Sequence, residues 1–144
     1  MPYREFEIWR QRIWVLYREE LIRSGSSELE AEENVQLNIS QTMPAGNLLP
    51  GNYVFNVMNE GQPVGSVWLN DHESEWFIYD IEIAESERGK GLGRATMKAI
   101  ESFVRDNSGT AISLSVFGFN KVALRLYETE GYEVTRLAMK KILT

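Results

Sequence analysis

The chain contains no cysteine, which excludes disulfides, thiolate metal sites and a covalent cysteine nucleophile. It has one histidine, His72, so multi-His metal sites are excluded too, and no metal centre is expected. No apolar run is long enough to span a bilayer, and the start, Met-Pro-Tyr-Arg-Glu-Phe-Glu, lacks a signal-peptide layout. A soluble, cytoplasmic protein that works away from membranes is expected. Cations are in the minority, 15 Lys and Arg against 21 Asp and Glu, for a net charge of −6. That balance disfavours nucleic acid, whose binding rests on clustered Lys and Arg. It suits a cationic partner such as an amine, although solubility alone explains an acidic surface equally well.

At 144 residues, with 43% hydrophobic and 25% charged, the chain reads as one globular domain over 1–144. Phe6, Trp9, Ile13, Leu16 and Tyr17 recur at helical spacing, predicting a helix over 4–23 that ends at Ser24-Gly25. Ser27-Glu28-Leu29-Glu30 has capping-box form and opens a second helix with Ala31, Val35 and Ile39 on one face. Pro44, Gly46, Pro50 and Gly51 break the chain. Strands are expected over 53–58 and 64–69, joined through Asn59-Glu60-Gly61-Gln62, and over 76–84. A helix carrying Leu92, Thr96, Ala99, Ile100, Phe103 and Val104 follows, then a strand over 111–117. Asn120 to Glu130 reads as a short helix, and Tyr132 to Ile142 as a last strand. The order is that of a mixed α/β sheet.

Between the third strand and the third helix stands Glu87-Arg88-Gly89-Lys90-Gly91-Leu92-Gly93-Arg94-Ala95. Glycines let a backbone approach closely, and the following helix offers unpaired N–H groups and a positive dipole end, so this stretch suits a phosphate. It is not a Walker A motif, since no Gly-Lys-Ser/Thr closes it, and its spacing departs from the Rossmann fingerprint. A nucleotide-phosphate enzyme is therefore disfavoured, the more so without an evident Mg²⁺ carboxylate set.

Arg88-Gly89-Lys90-Gly91-Leu92-Gly93 resembles the pyrophosphate-binding motif of the GNAT superfamily, the acyl-CoA-dependent N-acetyltransferases. Downstream, residues 120–132, Asn-Lys-Val-Ala-Leu-Arg-Leu-Tyr-Glu-Thr-Glu-Gly-Tyr, match that family's second motif, Asn-x-x-Ala-x-x-Leu-Tyr-Glu-x-x-Gly-Phe/Tyr, at every fixed position. The resemblance implies a mostly antiparallel sheet with a splayed parallel strand pair, two N-terminal helices and two later ones. It implies acetyl-CoA as cosubstrate, with the N–H groups from Arg88 through Gly89, Lys90, Gly91, Leu92 and Gly93 to Arg94 cradling the pyrophosphate. Backbone groups of Ile81, Glu82 and Ile83 would hold the pantetheine arm where strands 76–84 and 111–117 part. Asn120 would help hold that arm, and the Tyr127 hydroxyl would protonate the departing thiolate.

From the residues alone, Asn120 is a helix N-cap and Tyr127 a core aromatic; seven residues apart, they share a helix face about 10 Å apart. A phenol, with an ordinary pKa near 10, is protonated at neutral pH as a general acid must be. An amine nucleophile must shed a proton, and Asp80 and Glu82, on one strand face, are the candidate bases. Glu75 is a weaker option, and a water chain to solvent also serves. Strand N–H groups would stabilise the oxyanion. Two departures from the family pattern stand out. Glu85 and Glu87 replace a proline and an aromatic ahead of the loop, and Ser115 and Phe119 stand where close look-alikes carry histidine. His72, between Asp71 and Glu73, reads as a hairpin-loop residue.

The expected function is transfer of an acetyl group from acetyl-CoA to a primary amine, on a small molecule or a protein, by direct attack in a ternary complex. The alternative is a domain of the same fold that holds acyl-CoA without turnover. Trp9, Trp14 and Tyr17 face either an acceptor pocket or the core, with core favoured, and the last strand offers a surface for pairing in a homodimer.

Overall fold

The computed structural model describes all 144 residues. Two helices open the chain, α1 (Tyr3–Arg23) and α2 (Glu28–Thr42), followed by strands β1 (Asn52–Asn59), β2 (Gln62–His72) and β3 (Glu75–Ile83). Helix α3 (Leu92–Asp106), strand β4 (Ala111–Leu114) and helix α4 (Lys121–Thr129) complete the elements. The capping signal before α2 is realised, with Ser27 Oγ accepting the Glu30 N–H at 3.1 Å.

The sheet order is β1-β2-β3-β4. β1 and β2 form the expected hairpin, and its turn residues Glu60 and Gly61 take φ of 51° and 79°, the twist that suits a two-residue connection. β2 and β3 are antiparallel. β3 and β4 are parallel, which demands a long crossover, and α3 supplies it. The result is the expected mixed, mostly antiparallel sheet with one parallel pair, two helices before it and two later ones.

Each sheet face buries a different helix. Val67, Leu69, Trp76 and Ile78 pack with Met97, Ile100 and Val104 of α3. On the opposite face Trp9 and Ile13 of α1 pack with Val54 and Trp68, closed by Met43. Trp9 therefore belongs to the core, as favoured. Leu21, Ala31 and Val35 join α1 to α2 in a third, smaller cluster.

Two expectations differ from the structure. Residues 132–142 form no strand; the chain there is irregular and, past Tyr132, exposed. A strand needs a ladder partner. The segment 132–138 instead lies across a groove of about 930 Å³ from the open side of β4. It is tied down by the Tyr132 N–H, which donates to the Tyr127 carbonyl at 3.0 Å. Beyond it, Lys140 Nζ donates to the Gly25 carbonyl at 2.8 Å and pairs with Glu30 at 3.9 Å. The last strand on which pairing in a homodimer rested is thus absent. The strand expected over 111–117 ends at Leu114, because β3 pairs with it only from Glu75 to Ile78.

Met97 is fully buried between α3 and the sheet. Met97→Ala should lower unfolding free energy by about 2–5 kcal/mol, the ordinary cost of emptying such a site. Urea titration of wild type and variant measures it.

Candidate active site

A cleft of about 1020 Å³ opens between α1, β3 and the start of α4. It exists because β3 and β4 stop pairing after Ile78 and Leu114, so from Tyr79 onward the β4 side of β3 borders open space. The expected splay of the parallel pair is therefore present.

Which side chains enter this cleft is decided by one irregularity. Trp68 pairs with Asp80, but the next residue, Leu69, pairs with Ile78, leaving Tyr79 as an extra residue on β3. Strict alternation from the buried Trp76 and Ile78 would carry Asp80 and Glu82 toward the apolar side of α3. The bulge reverses the alternation. Ile81 takes the inward place against the α3 core, and Tyr79 stacks on Trp68 with ring centroids 4.4 Å apart. Asp80 and Glu82 turn together to the α1 side.

The two carboxylates differ in partners. Glu82 Oε2 accepts from Arg12 Nη2 at 2.9 Å, an ion pair that ties β3 to α1. Asp80 keeps partial exposure as a residue, yet its Oδ2 is sealed from solvent and has no hydrogen-bond partner. Burial raises its carboxyl from an ordinary 3.8 to about 7, helped by the negative charges of Glu82 and Glu20 and opposed by Arg12. Tyr127, on α4, also lines the cleft, and its hydroxyl is raised by burial first and then by Asp80 and Glu20. Asp80, Tyr127 and Glu20 thus form one electrostatic group. Glu75 lies at the far end of β3, roughly 16 Å from Asp80 at strand rise, where it accepts from Ser113 Oγ. It is outside the group, as is His72, which ends β2 opposite Glu75.

The glycine loop leaves β3 through a short turn at Glu85–Glu87. Gly89 and Gly91 both take φ of 78°, left-handed geometry that any other residue adopts only at a cost, and nothing stands within 4 Å of where a Cβ would be. Gly91 is the N-cap of α3 and no side chain caps that helix, so its first N–H groups face open space. Arg88 Nε donates to the Ile83 carbonyl at 3.0 Å and lines the cleft. Lys90 pairs with Glu87 at 2.9 Å, and Arg94 pairs at 2.9 Å with Glu130, whose side chain is 6% exposed. The three loop cations therefore have protein partners, Arg94 as a strut between α3 and the end of α4. Asn120 Oδ1 accepts the Ala123 N–H at 3.2 Å, the N-cap role expected of it, and the residue also borders the cleft.

Two participants were not anticipated. Glu20 and Arg12 reach the site from α1, far away in sequence. Glu20 left a signal: with Ile13, Leu16 and Tyr17 it continues the buried stripe of α1, and a carboxylate on an apolar stripe is an anomaly. Arg12, beside that stripe, left none.

The sequence pattern of the Acetyltransferase (GNAT) family matches residues 8–132. The chain belongs to that family. The uncharacterized N-acetyltransferase YdgE of Bacillus subtilis is 30% identical to it over 149 residues, spanning 99% of this chain and 95% of that protein. The uncharacterized N-acetyltransferase YycN of the same organism is 30% identical over 133 residues, 88% of this chain and 85% of that one. A crystal structure of YycN superposes with a TM-score of 0.90 at 28% identity, covering 100% of this chain and 96% of its own. The GNAT fold and acetyltransferase family are thereby shown.

The raised Asp80 carboxyl has a consequence for stability. In the unfolded chain it ionises near 3.8, in the native protein near 7, so between these values the unfolded state has released a proton that the native state retains. Stability is therefore fully present below about 4 and is lost as pH rises through 7. Asp80→Asn should remove that loss, so the variant gains on wild type as pH rises from 4 to 7. Urea midpoints of both proteins across that range test the sign.

Proposed function

We propose that this chain transfers the acetyl group of acetyl-CoA to a primary amine by direct attack in a ternary complex. One observation carries the reading: a partnerless buried carboxylate, Asp80, shares a cleft with the Tyr127 phenol where β3 and β4 separate. A general base is most effective with a pKa near the working pH, and Asp80 at about 7 meets that requirement. Glu82, engaged by Arg12, is better suited to orienting β3 than to taking protons. Asp80 is therefore the base and Tyr127 the acid.

The glycine loop supports the cofactor half of the reading. The space over Gly89 and Gly91 and the uncapped start of α3 fit a pyrophosphate. Arg88, Lys90 and Arg94 border it, Lys90 by exchanging Glu87 for phosphate while Arg94 keeps its pairing with Glu130. Leu92 and Gly93 contribute backbone N–H groups at the helix start. The unpaired side of β3 from Ile81 to Ile83 offers main-chain groups to the pantetheine amides, with Asn120 at the opposite wall. Acetyl-CoA supplies the activated thioester.

In the reaction the ammonium of the acceptor gives its proton to Asp80, and the free amine nitrogen bonds to the acetyl carbon. The carbon–sulfur bond breaks as the nitrogen sheds its second proton to become an amide. The sulfur receives the Tyr127 proton, the nitrogen's proton restores Tyr127 through solvent, and Asp80 returns its own proton to solvent. Without cysteine, no acyl-thioester on the protein precedes attack. On this reading residues 1–144 act as one domain, in the cytoplasm. No helix is long and apolar enough to cross a membrane.

Thiol release from acetyl-CoA with a panel of amines tests the assignment. Tyr127→Phe and Asp80→Asn should each lower kcat by about 10²–10⁴-fold. Wild-type kcat/KM should rise with pH and level off above about 7, a limb that Asp80→Asn loses. Acetyl-CoA binding without acetylation of any amine, and without effect of Tyr127→Phe, would instead identify a non-catalytic acyl-CoA-binding domain.

A further inference from the structure

On the acceptor side of the cleft two carboxylates, Glu20 and Asp80, stand without an ion-pair partner. Glu19, Glu20, Asp80 and Glu82 all border the cleft. The cations nearby are committed or directed elsewhere. Arg12 is bound to Glu82 at 2.9 Å, and Arg88 donates to the Ile83 carbonyl. Arg23 is the one cation that lowers the Glu20 carboxyl, yet its guanidinium lies over the Phe119 ring, 4.0 Å from the centroid. Lys121 stands at the first turn of α4, beside Asn120 on the cofactor wall. Glu20 thus stands half-buried with no ion-pair partner, and burial is the main cause that raises its carboxyl.

An independent observation points to a ligand. Asp80 Oδ2 is sealed from water, has no hydrogen-bond partner and belongs to the wall of this cleft. A buried carboxylate without a donor is costly to keep unless something else brings the donor. Asp80, beside Tyr127, is such a group; Glu20, half-buried on the facing helix and without an ion pair, stands ready for a second nitrogen donor. The α1 wall between them carries Trp14 and Tyr17, aromatic faces suited to methylene groups and to a cation.

We infer that the acceptor is a compact diamine or polyamine, with one nitrogen reacting at Asp80 and Tyr127 while a second, protonated nitrogen is held by Glu20. The inference rests on the acetyl-transfer reading and narrows it. Amino acids are disfavoured by the same charges, since an acceptor carboxylate would face Glu20. Glu20 acts here as a specificity-determining residue, not as a proton carrier.

The test compares putrescine with butylamine, acceptors of equal carbon length that differ by one ammonium, in the thiol-release assay. Wild type should prefer putrescine by about tenfold or more in kcat/KM, the scale of one charged hydrogen bond. Glu20→Gln should raise KM for putrescine by about tenfold with little change in kcat, and the preference should collapse toward one. Glu20→Asp should restore part of it. Unchanged acetyl-CoA affinity and urea midpoint in both variants exclude misfolding as the cause. Equal use of the two amines by wild type overturns the inference and leaves acetyl transfer standing. So does a preference that survives Glu20→Gln. Failure of every amine to release thiol removes the acetyl-transfer reading, and this inference with it.

Discussion

Along β3 the pairing with β2 carries one residue too many, Tyr79, and the placement of the candidate site depends on that surplus. Before it, Trp76 and Ile78 are anchored against α3; after it, Ile81 recovers the same face, and Asp80 and Glu82 are turned toward α1. Without the bulge, two carboxylates would enter the apolar layer beside Met97 and Ile100, where ionised groups cannot remain. The same stretch is where β4 ceases to pair, so the re-aimed carboxylates and the open strand edge share one location. A local backbone irregularity therefore creates both the room for a cofactor arm and the orientation of the candidate base.

The electrostatics of the site follow from this placement. Glu82 is neutralised by Arg12 across the gap to α1, which lets a second carboxylate stand two residues away. Asp80 receives only the residual field of that guanidinium, so burial and its acidic neighbours win and the carboxyl rises to about 7. Burial first, and then the charges of Asp80 and Glu20, raise the Tyr127 hydroxyl and keep it protonated. On the proposed reading, one buried environment thus holds an acid and a base at separate pKa values, the separation on which acid–base chemistry near neutrality depends.

What was legible in the sequence was local. The glycine loop, the Asn120 cap and the Tyr127 position depend on residues a few places away, and spacing along one turn or one helix places them correctly. The common face of Asp80 and Glu82 was legible for the same reason. Which face it was could not be read, because Trp76-Phe77-Ile78-Tyr79 is apolar on both faces and the extra residue shows only against the partner strand. Glu20 and Arg12 join the site through the packing of α1 on the sheet, a long-range event. The supposed last strand failed in the opposite way. Its apolar residues, among them Val134, Leu137 and Met139, satisfy a strand composition, but a ladder requires a partner edge, and β4 stands across an open groove.

If the glycine loop is the proposed phosphate site, its cations show how such a site can be kept folded without its ligand. Lys90 and Arg94 each rest on a carboxylate, and that on Glu130 is almost wholly buried. Exposed ion pairs are worth little, so the Lys90–Glu87 contact yields readily to a doubly charged diphosphate. Arg94 differs: withdrawing it leaves Glu130 with Lys98 alone, 3.6 Å away. Binding at the loop must therefore loosen the α3–α4 strut or leave Arg94 in place and rely on backbone N–H groups. The second course is cheaper, since the N–H groups at the start of α3 have no internal partner to lose. On the proposed reading, cofactor grip would then reside mainly in the main chain, and α4, carrying Tyr127, would stay fixed to α3 through Arg94 and Glu130.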